Sequence, residues 1–99
     1  SKQAYEVAQR RESNGANIKI DTISMLKHCA GEVMEATEAY CDFVYEMTDE
    51  YEEKFQDEVA DIMTCCLIIS GYMKFDIELA LNRVMEKNRL RAEKQRDKL

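Results

Sequence analysis

The chain has no proline and no tryptophan, and only one histidine and three glycines among its 99 residues. Without proline, no helix has to kink or stop at a missing backbone donor. With so little glycine, few positions favour tight turns. What remains is rich in helix formers, six methionines beside many Glu, Lys, Ala and Leu, so the composition points to an all-α protein. One histidine and four scattered cysteines, Cys29, Cys41, Cys65 and Cys66, give no zinc-ligand spacing. Free thiols in a reducing compartment are expected, since adjacent Cys65 and Cys66 on one helix cannot easily bridge each other. No apolar run reaches the roughly 18 residues that cross a bilayer, and no signal-peptide pattern opens the chain. A cytoplasmic protein with no membrane partner is the expectation. The chain starts at Ser1 rather than at Met, so a trimmed end is expected as well. A net charge of −6 argues against a nucleic-acid partner, which calls for a basic face.

What is present is a 45% hydrophobic content, enough for one folded domain spanning residues 1–99. That length lies near the lower limit for a self-sufficient core. The expected fold is an antiparallel helical bundle of about four helices, completed by oligomerisation into a homodimer or homotetramer. Ser1 to Glu12 reads as a short polar helix that packs through Ala4, Tyr5, Val7 and Ala8, and Ser13 to Asn17 as a loop. Asp21 is the expected N-cap of a long helix reaching about Glu46. Its expected inner stripe is Leu26, Cys29, Ala30, Val33, Met34, Thr37, Tyr40, Cys41 and Val44. The acidic stretch Glu46 to Glu53 reads as a solvated turn. A third helix is expected from about Tyr51 to Ser70, with Phe55, Val59, Ile62, Met63, Cys66, Leu67 and Ile69 inward and Gly71 as its C′ residue. Asp76 caps a fourth, which carries Ile77, Leu81, Val84 and Met85 and then turns basic.

Two acidic pairs stand out, Glu32 with Glu35 and Glu58 with Asp61. Residues three apart share a helix face. A single carboxylate on a helix normally faces water, but these pairs sit among apolar neighbours. Burying such charges costs several kcal/mol each unless they are paired or bound to metal. If the two helices pack antiparallel, four carboxylates converge. Their repulsion raises carboxyl pKa values unless a cation neutralises them, and a hard ion with oxygen ligands, Mg²⁺ or Mn²⁺, suits that donor set. A ferritin-like di-iron site is disfavoured because neither pair carries the Glu-x-x-His histidine. Gly31 interrupts the helix at a cost of about 1 kcal/mol, which suggests close approach of another helix or a ligand.

Gly31-Glu32-Val33-Met34-Glu35, followed after 22 positions by Glu58-Val59-Ala60-Asp61-Ile62, resembles the signature of the MazG-like all-α nucleoside triphosphate pyrophosphohydrolases. The match is to the branch that writes its first block G-E-x-x-E; where the fuller pattern has an acid, this chain has Gly31. The resemblance covers roughly Leu26 to Arg91. It implies an all-α dimer or tetramer that hydrolyses a (d)NTP to (d)NMP and pyrophosphate with magnesium. By position it makes Glu32, Glu35, Glu58 and Asp61 the metal ligands, and Lys87, Asn88 and Arg91 (K-N-x-x-R) the residues facing the nucleotide. Cations near a helix C-terminus also complement its dipole, which is the simpler account of the last group. Glu35 or Glu38 is the candidate base for the attacking water, and His28, one turn before Glu32, a candidate contact to phosphate or base. Phosphoribosyl-ATP pyrophosphohydrolase is the alternative activity, because Glu58 to Ile62 also resembles its E-x-A-D-I block. A non-catalytic helical module that binds a nucleotide or partner is the alternative of a different class.

Overall fold

The computed structural model describes residues 2–15 and 19–98. They form four helices, α1 (Lys2–Ser13), α2 (Thr22–Glu46), α3 (Asp49–Met73) and α4 (Ile77–Asp97), and no strand among the described residues. Ser1 of the expected first helix and Ala16 and Asn17 of the expected loop lie outside them. Ser13, expected in that loop, ends α1.

Local chemistry sets the boundaries. The Asp21 carboxylate accepts the Ser24 backbone N–H at 3.0 Å and the Ser24 hydroxyl at 2.8 Å, fixing the start of α2. These two bonds hold the Asp21 carboxyl below its ordinary range. Met47 closes α2 in the left-handed region (φ 54°), its N–H donating to the Phe43 carbonyl at 2.7 Å. The next residue, Thr48, already caps α3 by accepting the Tyr51 N–H at 3.3 Å. The acidic stretch expected as a solvated turn is therefore mostly helix. Asp49, Glu50 and Glu52 form the first turn of α3, where negative charge complements the helix dipole. Asp76 caps α4 through the Leu79 N–H at 3.2 Å.

Gly71 does not end α3, which continues to Met73 and closes at Lys74 (φ 58°). Instead, a Cβ at position 71 would collide with Cβ and Cγ of Tyr5. Glycine there admits α1 against α3. The Tyr5 and Tyr72 rings meet edge to face, with centroids 6.4 Å apart. Ala8, Ile20, Met25, Cys65 and Ile68 form the buried core where α1, the start of α2 and the end of α3 converge. Glu12 accepts the Ile20 N–H at 3.3 Å and tethers the chain entering α2.

Helix α2 carries two apolar stripes. The inward one runs Met25, Cys29, Glu32, Ala36, Ala39 and Phe43, all buried or half-buried. Most of the stripe read from the sequence as inward, Leu26, Ala30, Val33, Thr37, Tyr40 and Val44, is exposed. Both series have spacings of three and four, so periodicity alone does not choose between them. Facing α2, the inward positions of α3 are Phe55, Glu58, Ile62, Cys65 and Ile68. Tyr40 nevertheless reaches Phe55, with ring centroids 5.4 Å apart.

Helix α4 buries none of its residues and packs on none of the other three to any extent. Leu79, Leu81, Val84, Met85 and Leu90 along it are exposed. The radius of gyration is 17.0 Å, against about 13 Å for a compact domain of this length. The accessible surface of 8028 Å² likewise exceeds the roughly 5,800 Å² expected of a compact monomer of this mass. No helix among the described residues is long and apolar enough to cross a membrane.

Candidate metal centre

Two of the inward positions described above are acids, one on each helix of the α2–α3 pair. The Glu32 side chain is only 12% exposed, and Glu58 is half-buried opposite it. Asp61 follows Glu58 by three residues on the same face of α3. One carboxylate oxygen from each of the three lies within 4.8 Å of the others.

Each half-buried acid has an unfilled valence. His28 Nε2 lies 3.1 Å from Glu32 Oε1, one turn along α2. Glu32 Oε2 and Glu58 Oε2 are buried with no hydrogen-bond partner among the described residues. Leaving such an oxygen unpaired is expensive, more so when it is charged. The Glu58 carboxyl is held above its ordinary value, first by removal from water, then by the charges of Glu35, Glu32 and Asp61, and last by a hydrogen bond in which a protonated Glu58 would share its proton with the Glu32 carboxylate. All these causes disfavour the anion, and nothing nearby offsets them.

No family model, curated protein or solved structure matches this chain.

The donor set itself fits a hard divalent cation. Oxygen ligands on an octahedral Mg²⁺ stand about 3 Å apart when adjacent and about 4.2 Å when opposite. A cluster whose oxygens lie within 4.8 Å of one another would thus close by up to about 2 Å on such an ion, within reach of side-chain rotation. An ion there would satisfy both orphaned oxygens and cancel the repulsion that raises Glu58. The thiols do not suit such a site. Burial pushes Cys65 up to about 11, so it stays a neutral, inert thiol.

Of the residues expected at the site, Glu32, Glu58 and Asp61 come together in this cluster. Glu35 is exposed one turn along α2, close enough for its charge to act on Glu58. Glu38 is exposed and outside the cluster. His28 orients Glu32. Lys87, Asn88 and Arg91 lie exposed on α4, and within one chain they are not brought to the acids.

Beside the cluster is a cavity of about 300 Å³ that the sequence reading missed. Helix α1 contributes Arg11 to it, α2 contributes Met25, His28 and Glu32, and α3 contributes Asp61, Thr64, Cys65 and Ile68. A signal for Arg11 was present. Ala4, Ala8 and Arg11 have the four-then-three spacing of one helix face, so the packing side of α1 ends in a cation.

Proposed function

We propose that the chain is a Mg²⁺-dependent nucleoside triphosphate pyrophosphohydrolase, with Mn²⁺ as an alternative ion. The observation that carries this reading is the pair of buried, partnerless carboxylate oxygens on Glu32 and Glu58, clustered with Asp61. The resemblance to the MazG-like signature supports it independently, because its two blocks are the segments that meet across α2 and α3.

Glu32, Glu58 and Asp61 would hold the ion, with Glu35 adding a carboxylate from the next turn. A bound Mg²⁺ neutralises non-bridging phosphate oxygens and acidifies water. The side chains supply the rest. His28 holds Glu32 in place through Oε1 and leaves Oε2 for the cation. Glu35, solvent-facing and adjacent to the cluster, accepts the proton of the attacking water, and Glu38 is the second candidate. The water oxygen bonds to the α-phosphorus while the bond from that phosphorus to the α,β-bridging oxygen breaks. Pyrophosphate leaves with the bridging oxygen, so NTP and water give NMP and pyrophosphate. Attack at the α-phosphorus follows from the resemblance.

A homodimer or homotetramer belongs to the same reading. The surface excess over a compact monomer is about 2,000 Å² per chain, or about 4,000 Å² for two chains, within the range that obligate homodimers bury. The exposed stripe of α2 and the unpartnered α4 are the faces available to bury it. Only in such an assembly could Lys87, Asn88 and Arg91 meet an acid cluster, since they are exposed on α4 away from that of their own chain.

The test is a product analysis. Each common NTP and dNTP is incubated with the protein and Mg²⁺, and the products are separated by ion exchange. The expected products are monophosphate and pyrophosphate, lost in both Glu35→Ala and Glu58→Ala. Diphosphate with phosphate would refute the assigned cleavage. Absence of turnover with every nucleotide would favour phosphoribosyl-ATP or a binding role.

A further inference from the structure

The cavity beside the acid cluster has walls of opposite charge. On one side are Glu32 and Asp61, shared with the three-acid cluster. On another is Arg11, at the last turn of α1. Arg11 forms no ion pair with either acid, nor with any other carboxylate among the described residues. A guanidinium that lines an acidic cavity without closing onto its acids leaves room for something between them.

The other polar groups on the wall are already engaged. Thr64 donates its hydroxyl to the Ala60 carbonyl at 2.9 Å, and His28 Nε2 is directed at Glu32. Arg11 is thus the one permanently charged donor among the described residues that line the cavity. A divalent cation on the carboxylates would offset most of their charge and offer open coordination positions to an anionic oxygen, opposite the guanidinium of Arg11. The space then suits a ligand with anionic oxygens at both ends, and a guanidinium matches phosphate better than any other side chain does.

We propose that Arg11 binds the phosphate chain of the substrate, on the side of the cavity away from the cation. This assignment rests on the metal-centre reading above and adds to it a phosphate-binding residue on α1, outside both acidic motifs. It also gives α1 a role beyond packing. The glycine at position 71 that admits Tyr5 sets the approach of α1 to α3, and hence where Arg11 stands.

The probe is inorganic tripolyphosphate, which has the charges of the substrate and no base or sugar. Its binding in saturating Mg²⁺ is measured by calorimetry for the wild-type protein, Arg11→Ala and Arg11→Lys. Mn²⁺ binding without tripolyphosphate is measured separately on the same proteins. Arg11→Ala is expected to weaken tripolyphosphate binding about tenfold to a hundredfold, the range for a lost charge-assisted hydrogen bond. Arg11→Lys should fall between the two, and Mn²⁺ affinity should be unchanged in both variants. Unchanged tripolyphosphate affinity in Arg11→Ala would overturn the assignment, as would failure of the wild-type protein to bind the probe. Parallel loss of Mn²⁺ binding would also overturn it, showing that Arg11 supports the cluster rather than the ligand. Absence of Mn²⁺ binding in the wild-type protein would bring down the metal-centre reading itself, a result distinct from the others. Arg11 is exposed, so its loss should leave the thermal transition in place, and Arg11→Lys serves if the alanine variant does not fold.

Discussion

Glu58 illustrates how a charge at a core position is a functional signal. Its carboxyl is raised by burial and by three neighbouring acids, so the metal-free fold retains a proton that the unfolded chain gives up. Where the native state binds more protons than the unfolded state, stability falls as pH rises. The window runs from the ordinary glutamate value up to the raised one. The wild-type protein without metal should therefore lose thermal stability relative to Glu58→Gln as pH rises through that window, and scans of both proteins from acidic to neutral pH measure it. A difference that stays flat, or that grows in favour of wild type with pH, would contradict the assignment. Asp21 acts in the opposite sense. Its carboxyl is depressed by the cap bonds to Ser24, so its contribution is present above the ordinary aspartate value and lost on acidification, which is why the comparison with Glu58→Gln is needed.

Among the helices, the caps were the most legible feature, because Asp21 and Asp76 announce their helices by residue type and local geometry alone. The acidic segment after Glu46 was misread because negative charge suits both a solvated loop and the first turn of a helix. Gly71 was misread for a related reason. Glycine serves a helix end and a close helix–helix approach equally well, and only Tyr5, distant in sequence, decides. The acids were found because Glu32 and Glu58 interrupt apolar surroundings. The cavity was missed because it needs α1, whose placement no local pattern encodes. Gly31 has open space around it among the described residues, so none of the four helices makes the close approach expected there. Gly71→Ala separates the two roles of that glycine. Alanine would favour the helix by up to about 1 kcal/mol, while the collision with the rigid base of Tyr5 costs about 1–3 kcal/mol by overpacking. A net destabilisation in chemical denaturation is expected, and a net gain would show that α1 does not sit so close.

As a whole molecule, the chain exposes more apolar surface than a monomer of its size can comfortably carry. Val33, Tyr40 and Val44 on α2, with Leu81, Val84 and Met85 on α4, all face outward, and their burial would be driven at about 25 cal/mol per Å². Sedimentation equilibrium at micromolar concentration should find a dimer or tetramer, and Val33→Glu should shift it towards monomer. A wild-type monomer under those conditions would remove the assembly from the account. The acid cluster belongs to each chain separately, so its occupancy can be counted per chain in whatever assembly forms. Calorimetric titration of the wild-type protein and Glu58→Gln with Mn²⁺ is the most direct measurement. The account predicts at least one ion per chain in the wild-type protein, displaced by excess Mg²⁺ and lost in Glu58→Gln. No binding, or binding equally strong in the variant, would contradict it.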